Sequence, residues 1–315
     1  MSLARYLAWR GLVALLLIVV VSSAALLLTL AAPDATSLDV AERAAAERRR
    51  IELGLDRPVL VQYVEWVGRA VRFDFGESVI YTRPVNTLIG ERVLNTAVLA
   101  ATALVLATAI GMPLGIYTGR RSRGWGVLIV RGLSVLLLST PPLLASLVLV
   151  LVAARTGWLP VGGMISAGAD GGLADRLRHL VIPVLALGLP LAASLERLQS
   201  QSIAEAAAEP FVVATLARGV SRHRAIWRHA FKASLRSIAA IYGIVVGTVL
   251  SGSFAVEIVT AWPGLGRLML DALRARDVYL VAGCAATGAL FLAAGTLLAD
   301  VALAAVDPRA TDAAE

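Results

Sequence analysis

The apolar residues of this chain fall into six blocks free of Asp, Glu, Lys and Arg: residues 11–33, 93–119, 132–154, 179–195, 237–256 and 278–299. At a rise of about 1.5 Å per residue, a hydrocarbon layer about 30 Å thick takes about 20 residues to cross, with a working range of about 17–25. Every block meets that length, the one at 179–195 with least to spare. Six buried helices of a water-soluble protein are a poor alternative, because such helices carry charge on at least one face. The pattern predicts an all-α integral membrane protein with six transmembrane helices. The first block could also be a cleaved signal segment, since Arg5 and Arg10 give it a basic start and Ala31-Ala32 a small-residue exit. Its charge-free length exceeds the roughly 7–15 residues of a signal core, so it is expected to be a true span.

Between the blocks the chain divides into a start at 1–10, a sizeable first outer loop at 34–92, an inner loop at 120–126, an outer loop at 155–178, an inner segment at 200–236, an outer loop at 258–277 and an end at 307–315. The spans themselves are expected at 11–33, 93–119, 127–154, 179–199, 237–257 and 278–306, with 93–306 as the core. Composition agrees: 58% of residues are hydrophobic, against about 45–50% in a soluble domain.

A net charge of +7 would suit nucleic acid or an anionic surface, but its placement reads as topology. Starting inside, six spans put Arg120, Arg121, Arg123, Arg218, Arg222, Arg224, Arg228, Lys232, Arg236 and Arg309 in the cytoplasm, together with both termini, which is the positive-inside bias. The basic residues of the first outer loop, among them Arg48, Arg57, Arg69 and Arg83, are balanced there by ten acidic ones, and long loops cross regardless of charge. No nucleic-acid partner is expected; the lipid bilayer is.

The segment at 200–236 is the one long polar stretch between strongly apolar runs, with six basic residues against two acidic ones. Its small and apolar residues keep a helical spacing interrupted by Gly219, which a tail without structure would not preserve. A short helix positioned by Gly219 would present Arg218, Arg222 and Arg224 to a cytoplasmic protein. Elsewhere, Ala41 to Ile51 reads as an amphipathic helix ended near Gly54, and Phe73-Asp74-Phe75-Gly76-Glu77-Ser78 as part of a small outer cap. Trp158 and Trp262, each beside Pro and Gly, fit interfacial anchors on tight turns. Small residues at four-residue steps, Gly111, Gly115 and Gly119, and Gly243, Gly247 and Ser251, make two spans candidates for close helix packing within the chain or against a second membrane subunit.

The chemistry that is missing narrows the function. No Gly-x-x-x-x-Gly-Lys-Ser/Thr loop occurs, and Lys232, the only lysine, precedes Ala233 and Ser234, so the chain has no usual cradle for a nucleoside triphosphate. His179, His223 and His229 show no metal-ligand spacing, and the single Cys284 reads as a small packing residue. Neither a metal site nor a catalytic residue is expected. The spans hold few ionisable residues, which argues against a proton-coupled carrier. Asp300 is the main exception and reads as a helix-pairing residue, while Arg131 and Glu257, near span ends, are expected to snorkel to the interface. The chain offers a path without a motor, so the energy must enter through a partner. A stand-alone channel or ion-coupled carrier would transport after reconstitution alone; a membrane scaffold would bind partners and leave uptake unchanged when removed.

Several short motifs, taken in order, carry a resemblance: Arg5-Tyr6, Leu53-Gly54-Leu55-Asp56-Arg57-Pro58, Gln62-Tyr63, Asp74-Phe75-Gly76-Glu77-Ser78, Leu94-Asn95-Thr96, Gly111-Met112-Pro113-Leu114-Gly115, Gly157-Trp158-Leu159-Pro160, Arg228-His229-Ala230, Trp262-Pro263-Gly264-Leu265-Gly266-Arg267, Arg276-Asp277 and Asp307-Pro308-Arg309. The ordered set resembles the inner-membrane permease subunits of ATP-binding-cassette importers of the oligopeptide, dipeptide and nickel group, in particular the B-type subunit. That resemblance implies a non-catalytic subunit paired with a second, homologous permease subunit. It also implies two cytoplasmic ATPase subunits, or one fused ATPase, that hold ATP and Mg, and an extracytoplasmic substrate-binding protein. Peptides are the expected cargo, with nickel or another small solute as the alternative. The resemblance assigns a coupling helix to the inner segment, with Pro210, Phe211, Ala214, Ala217, Arg218, Gly219, Arg222, Arg224, Arg228 and His229 as ATPase-coupling residues. Gly111, Gly115, Gly243 and Gly247 are the packing candidates, the substrate-binding residues are open, and a bacterial cell membrane is the expected location.

Overall fold

The computed structural model describes residues 3–31, 48, 51–52, 56–121, 123–166, 168 and 171–306. The helices are α1 (Leu3–Ala31), α2 (Val59–Ala70), α3 (Val85–Gly119), α4 (Trp125–Leu138), α5 (Pro142–Thr156), α6 (Leu173–Ala208), α7 (Pro210–Ala217), α8 (Arg222–Ala225), α9 (Phe231–Val259), α10 (Leu265–Arg274) and α11 (Val278–Val306). A π-helical turn, Ile226–Ala230, joins α8 to α9. Among the described residues the only β-type pairing is an isolated bridge between Glu77 and Pro84. Five helices, α1, α3, α6, α9 and α11, are long and apolar enough to cross a membrane. The helix expected within 41–51, the turn at Gly54 and the Asp307-Pro308-Arg309 motif lie wholly or mostly outside the described residues.

The block at 132–154 is not one straight helix. It breaks after Leu138, and α4 and α5 meet at 101°; the pair makes a sixth span if it crosses as one. The reason is in the backbone: Pro141 and Pro142 have no N–H to donate, and a residue before proline is driven out of the helical region. Pro141 is accordingly extended at ψ 144°, and Pro142 restarts the helix at its first position. A count of charges cannot register this break, because proline carries none.

The described residues form two compact units, one made of Leu3 with residues within 98–260 and 294–306, the other of residues within 4–97 and 261–293. In the first, α6 is the central element and packs against α4, α5 and α9. Its buried positions run from His179 to Ala206 with few interruptions. Helices in lipid gain nothing from leaving it for one another, so close van der Waals approach must hold them. Here α3 supplies that approach: a Cβ built at Gly111, Gly115 or Gly119 would come within 2.5–2.6 Å of backbone oxygens of Ala192, Glu196 and Ser200 on α6. These three small residues pack within the chain. At Gly243 a Cβ would meet Ala299 at an ordinary 3.6 Å, so packing within the chain does not require a glycine there, and Gly247 is half-buried.

Buried polar groups between these helices are joined to one another. Thr118 Oγ1 donates to Glu196 Oε1, and Gln199 Nε2 donates to Ser234 Oγ at 3.0 Å. Glu196 is 3% exposed and went unnoticed in the sequence because it lies one residue beyond a charge-free block. Glu257 is fully buried and does not snorkel to an interface. Cys284 is buried within α11, as expected of a packing residue.

Candidate functional site

The inner segment is helix, turn and helix, with little loop. α6 runs on to Ala208, and α9 begins at Phe231. Glu209 is extended at ψ 139°, and Pro210 opens α7 at a position where its missing N–H leaves no bond unmade. α7 is anchored by one side chain, Val212, which is 1% exposed and packs with Ala206, Ala225 and Ala230. It ends when Gly219 turns left-handed at φ +84°, with Gly219 N–H donating to Leu216 O at 2.9 Å and Val220 N–H to Thr215 O at 3.4 Å. A left-handed residue that closes a helix with such bonds is the ordinary place for glycine.

α8 and the π-helical turn return the chain to the span. Ile226 packs with Ile116 and Ile203, while Trp227 stands tilted between His223 and Phe231 at ring-centre distances of 6.2 and 5.7 Å. The outcome is a surface of mixed character. Pro210, Phe211, Ala217, Arg218, Gly219, Arg222, Arg224 and Arg228 are exposed, and Ala214 and His229 are half-buried. Val213, Leu216 and Trp227 belong to the same exposed surface, at 52%, 38% and 43%. They were missed because apolar residues in a short helix read as core. An exposed apolar patch rimmed by charge is the character of an interaction surface, for another protein or for the membrane.

The second unit brings together motifs that lie far apart in the chain. Asn95 Nδ2 donates to Pro263 O at 2.7 Å, Trp262 Nε1 to Asn95 O at 3.1 Å, and Leu265 N–H to Thr96 Oγ1 at 2.8 Å. Leu94-Asn95-Thr96 thus cradles Trp262-Pro263-Gly264-Leu265. Trp262 is 2% exposed, so it is a core residue and not an interfacial anchor, whereas Trp158 is 78% exposed and free to take that role. Ser78 Oγ donates to Asp277 Oδ2 at 2.5 Å, and the backbone N–H groups of Ile80 and Leu280 donate to the same carboxylate at 3.3 and 3.2 Å. Burial pushes the Asp277 carboxyl above its ordinary value, against these donors, which favour the charged form. Gly76 turns left-handed at φ +89°, and a Cβ there would stand 3.3 Å from the Tyr279 ring, over which the Arg69 guanidinium sits. Gln62 Nε2 donates to Arg57 O at 2.6 Å, and Tyr63 pairs with Ser23 at 3.0 Å.

Residues 111–312 match the family described as the binding-protein-dependent transport system inner membrane component. The chain belongs to this family. It is 34% identical to the oligopeptide transport system permease protein OppB of Mycobacterium tuberculosis over 279 residues, covering 85% of each chain. It is 30% identical to the oligopeptide transport system permease protein AppB of Bacillus subtilis over 261 residues, covering 81% of this chain and 82% of that one. A putative peptide permease protein of Brucella ovis is 31% identical over 269 residues, covering 85% and 84%. As a member of this family the chain is the multi-pass inner-membrane part of an ATP-binding-cassette importer, and it works in a complex with ATPase and other subunits.

Proposed function

We propose that this chain forms half of the translocation pathway of an importer for oligo- or dipeptides, delivered by an extracytoplasmic binding protein. The names of its relatives support peptides as cargo. The other half is a homologous permease subunit, and two ATPase subunits, or one fused ATPase, bind ATP and Mg and dock on residues 210–228 from the cytoplasm, where both termini lie. The observation that carries this reading is the exposed surface of α7, α8 and the π-helical turn, which presents Phe211, Val213, Leu216 and Trp227 together with exposed arginines. Val212 and Ile226 fasten that surface to the ends of α3 and α6, so a push on it reaches the spans. ATP binding and hydrolysis bias the spans between inward-open and outward-open states through this contact, with no covalent chemistry in this chain.

The test places charge on the surface without disturbing its anchor. Phe211→Asp with Ala217→Glu, both at exposed positions, is expected to cut ATP-driven peptide uptake at least fivefold while the chain still reaches the membrane at wild-type level. Normal uptake by that variant would remove α7 from the coupling path.

A further inference from the structure

Against the anchored side of α7 lies a cavity of about 450 Å³ whose lining includes Arg120, Arg121, Arg131, Val212 and, from the edge of the exposed surface, Leu216 and Arg222. We propose that this cavity binds the phosphate of an anionic phospholipid headgroup.

Four guanidinium groups meet there, and among the described residues none has a carboxylate within ion-pair distance. What they do touch is neutral. Arg222 and Arg131 reach the backbone oxygens of Arg120 and Thr118 at 3.5 and 3.4 Å, and Arg120 and Arg121 lie over the Tyr117 ring at 5.7 and 5.2 Å. Arg120 Nε is buried with no partner at all. Like charges gathered without a counter-charge repel, and guanidinium forks are matched to phosphate oxygens, so an anion here relieves the repulsion and fills the open donors.

The surroundings say which anion. A second cavity of about 390 Å³ shares Arg131 with the first and is lined by Trp125, Val127 and Leu128. Trp125 and Leu128 are 82% and 63% exposed, and Ile129 beside them is 65% exposed. A basic hollow that opens along one arginine onto an exposed Trp and Leu surface at the end of a span fits a headgroup with its acyl chains attached. A soluble phosphate would use only the first cavity. Leu216 and Arg222 line both this cavity and the exposed surface of α7 and α8, so an ATPase carboxylate is the competing occupant that the experiment must separate. The inference rests on the reading that this end of the spans is cytoplasmic, where anionic lipids face the protein.

The experiment measures lipid directly and not transport, so its failure is separable from failure of the coupling assignment. The full-length chain, purified with its partner subunits and stripped of lipid, is titrated with phosphatidylglycerol or with phosphatidylcholine, and bound lipid is counted by native mass spectrometry. Wild-type protein is expected to retain phosphatidylglycerol at least tenfold more tightly than phosphatidylcholine. Arg120→Gln with Arg222→Gln is expected to erase that preference, while Arg155→Gln, which removes one positive charge far from the cavity in sequence and outside its lining, keeps it. Arg131→Gln alone gives a second route to the same result if the double variant does not fold. Equal retention of both lipids overturns the proposal. So does arginine-dependent binding of inorganic phosphate with no preference among lipids, or a lipid that the ATPase displaces on docking, which would give the cavity to the ATPase's carboxylates.

Discussion

Gly115→Leu is expected to leave little folded chain to recover from the membrane. The first side-chain carbon at this position would stand 2.6 Å from Gln199 Cβ and 2.6 Å from the backbone oxygen of Glu196. Neither neighbour is the free end of a flexible side chain, so α3 would have to move off α6. That motion would strain the Thr118 to Glu196 bond, a turn away on the same helix pair, and the buried Gln199 to Ser234 bond. Overpacking a well-filled site costs about 1–3 kcal/mol, and with polar groups pulled apart in addition the loss is put at about 3 kcal/mol or more. Gly115→Ala should show a smaller loss of the same sign. Gly243→Ala, where the new carbon meets Ala299 at 3.6 Å, should be neutral. Thermal midpoints in detergent, read by size exclusion, order the three; a wild-type midpoint for Gly115→Leu would mean that α3 does not lie on α6 as described.

Asp277→Ala is the second large effect expected. It removes the acceptor for the Ser78 hydroxyl and for the N–H groups of Ile80 and Leu280, at a residue with no exposed surface. An orphaned buried donor costs about 1–3 kcal/mol, so the loss is expected near 3 kcal/mol at neutral pH. Ser78→Ala, which takes away one donor and leaves the acceptor served by backbone N–H groups, should cost less. Acidity separates this account from a generic loss of packing. Burial holds the folded carboxyl of Asp277 above its unfolded value, so the protonated form favours the folded state. The associated stabilisation is complete below the unfolded value of about 4 and is lost as pH rises through the folded one. Wild-type protein should therefore gain thermal stability on acidification through that window, and Asp277→Ala should lack this component. Identical pH slopes in the two proteins would place the titration elsewhere.

What the sequence made legible follows from what each signal is made of. Charge-free length finds α1, α3, α6, α9 and α11, because lipid excludes charge whatever the tertiary arrangement. The Gly111, Gly115, Gly119 stripe was readable for the same kind of reason: only a missing side chain permits backbone contact between helices. It could not be told from Gly243 and Gly247, since the partner surface decides whether the gap is used. The end of α7 was marked by Gly219. The break at Pro141 was written in the residues but lost in a count of charge.

Long-range pairing was out of reach. Ser78 and Asp277 are 199 residues apart, and nothing at either position names the other. Trp262 illustrates the same limit, because a tryptophan flanked by proline and glycine looks interfacial until Asn95 is seen to accept its indole N–H. Glu196 and Glu257 show the converse: a carboxylate near a block edge is placed by its neighbours in space, not by its distance from the end of an apolar run.

The five-residue π-helical turn Ile226–Ala230 sets an angle. Such a turn holds one residue more than an α turn, and each residue of a helix carries about 100° of rotation. The heading of α7 and α8 about the axis of α9 thus depends on the length of the turn as well as on the packing of Val212 and Ile226. Deleting His229 would rewind the turn to α-helix and swing Phe211 and the arginines about a quarter of a circle away, while leaving Phe211 and every arginine in place in the sequence. A one-residue deletion there is expected to silence uptake more completely than replacing Trp227 by alanine, as a dial is upset more by slipping one tooth than by losing its paint.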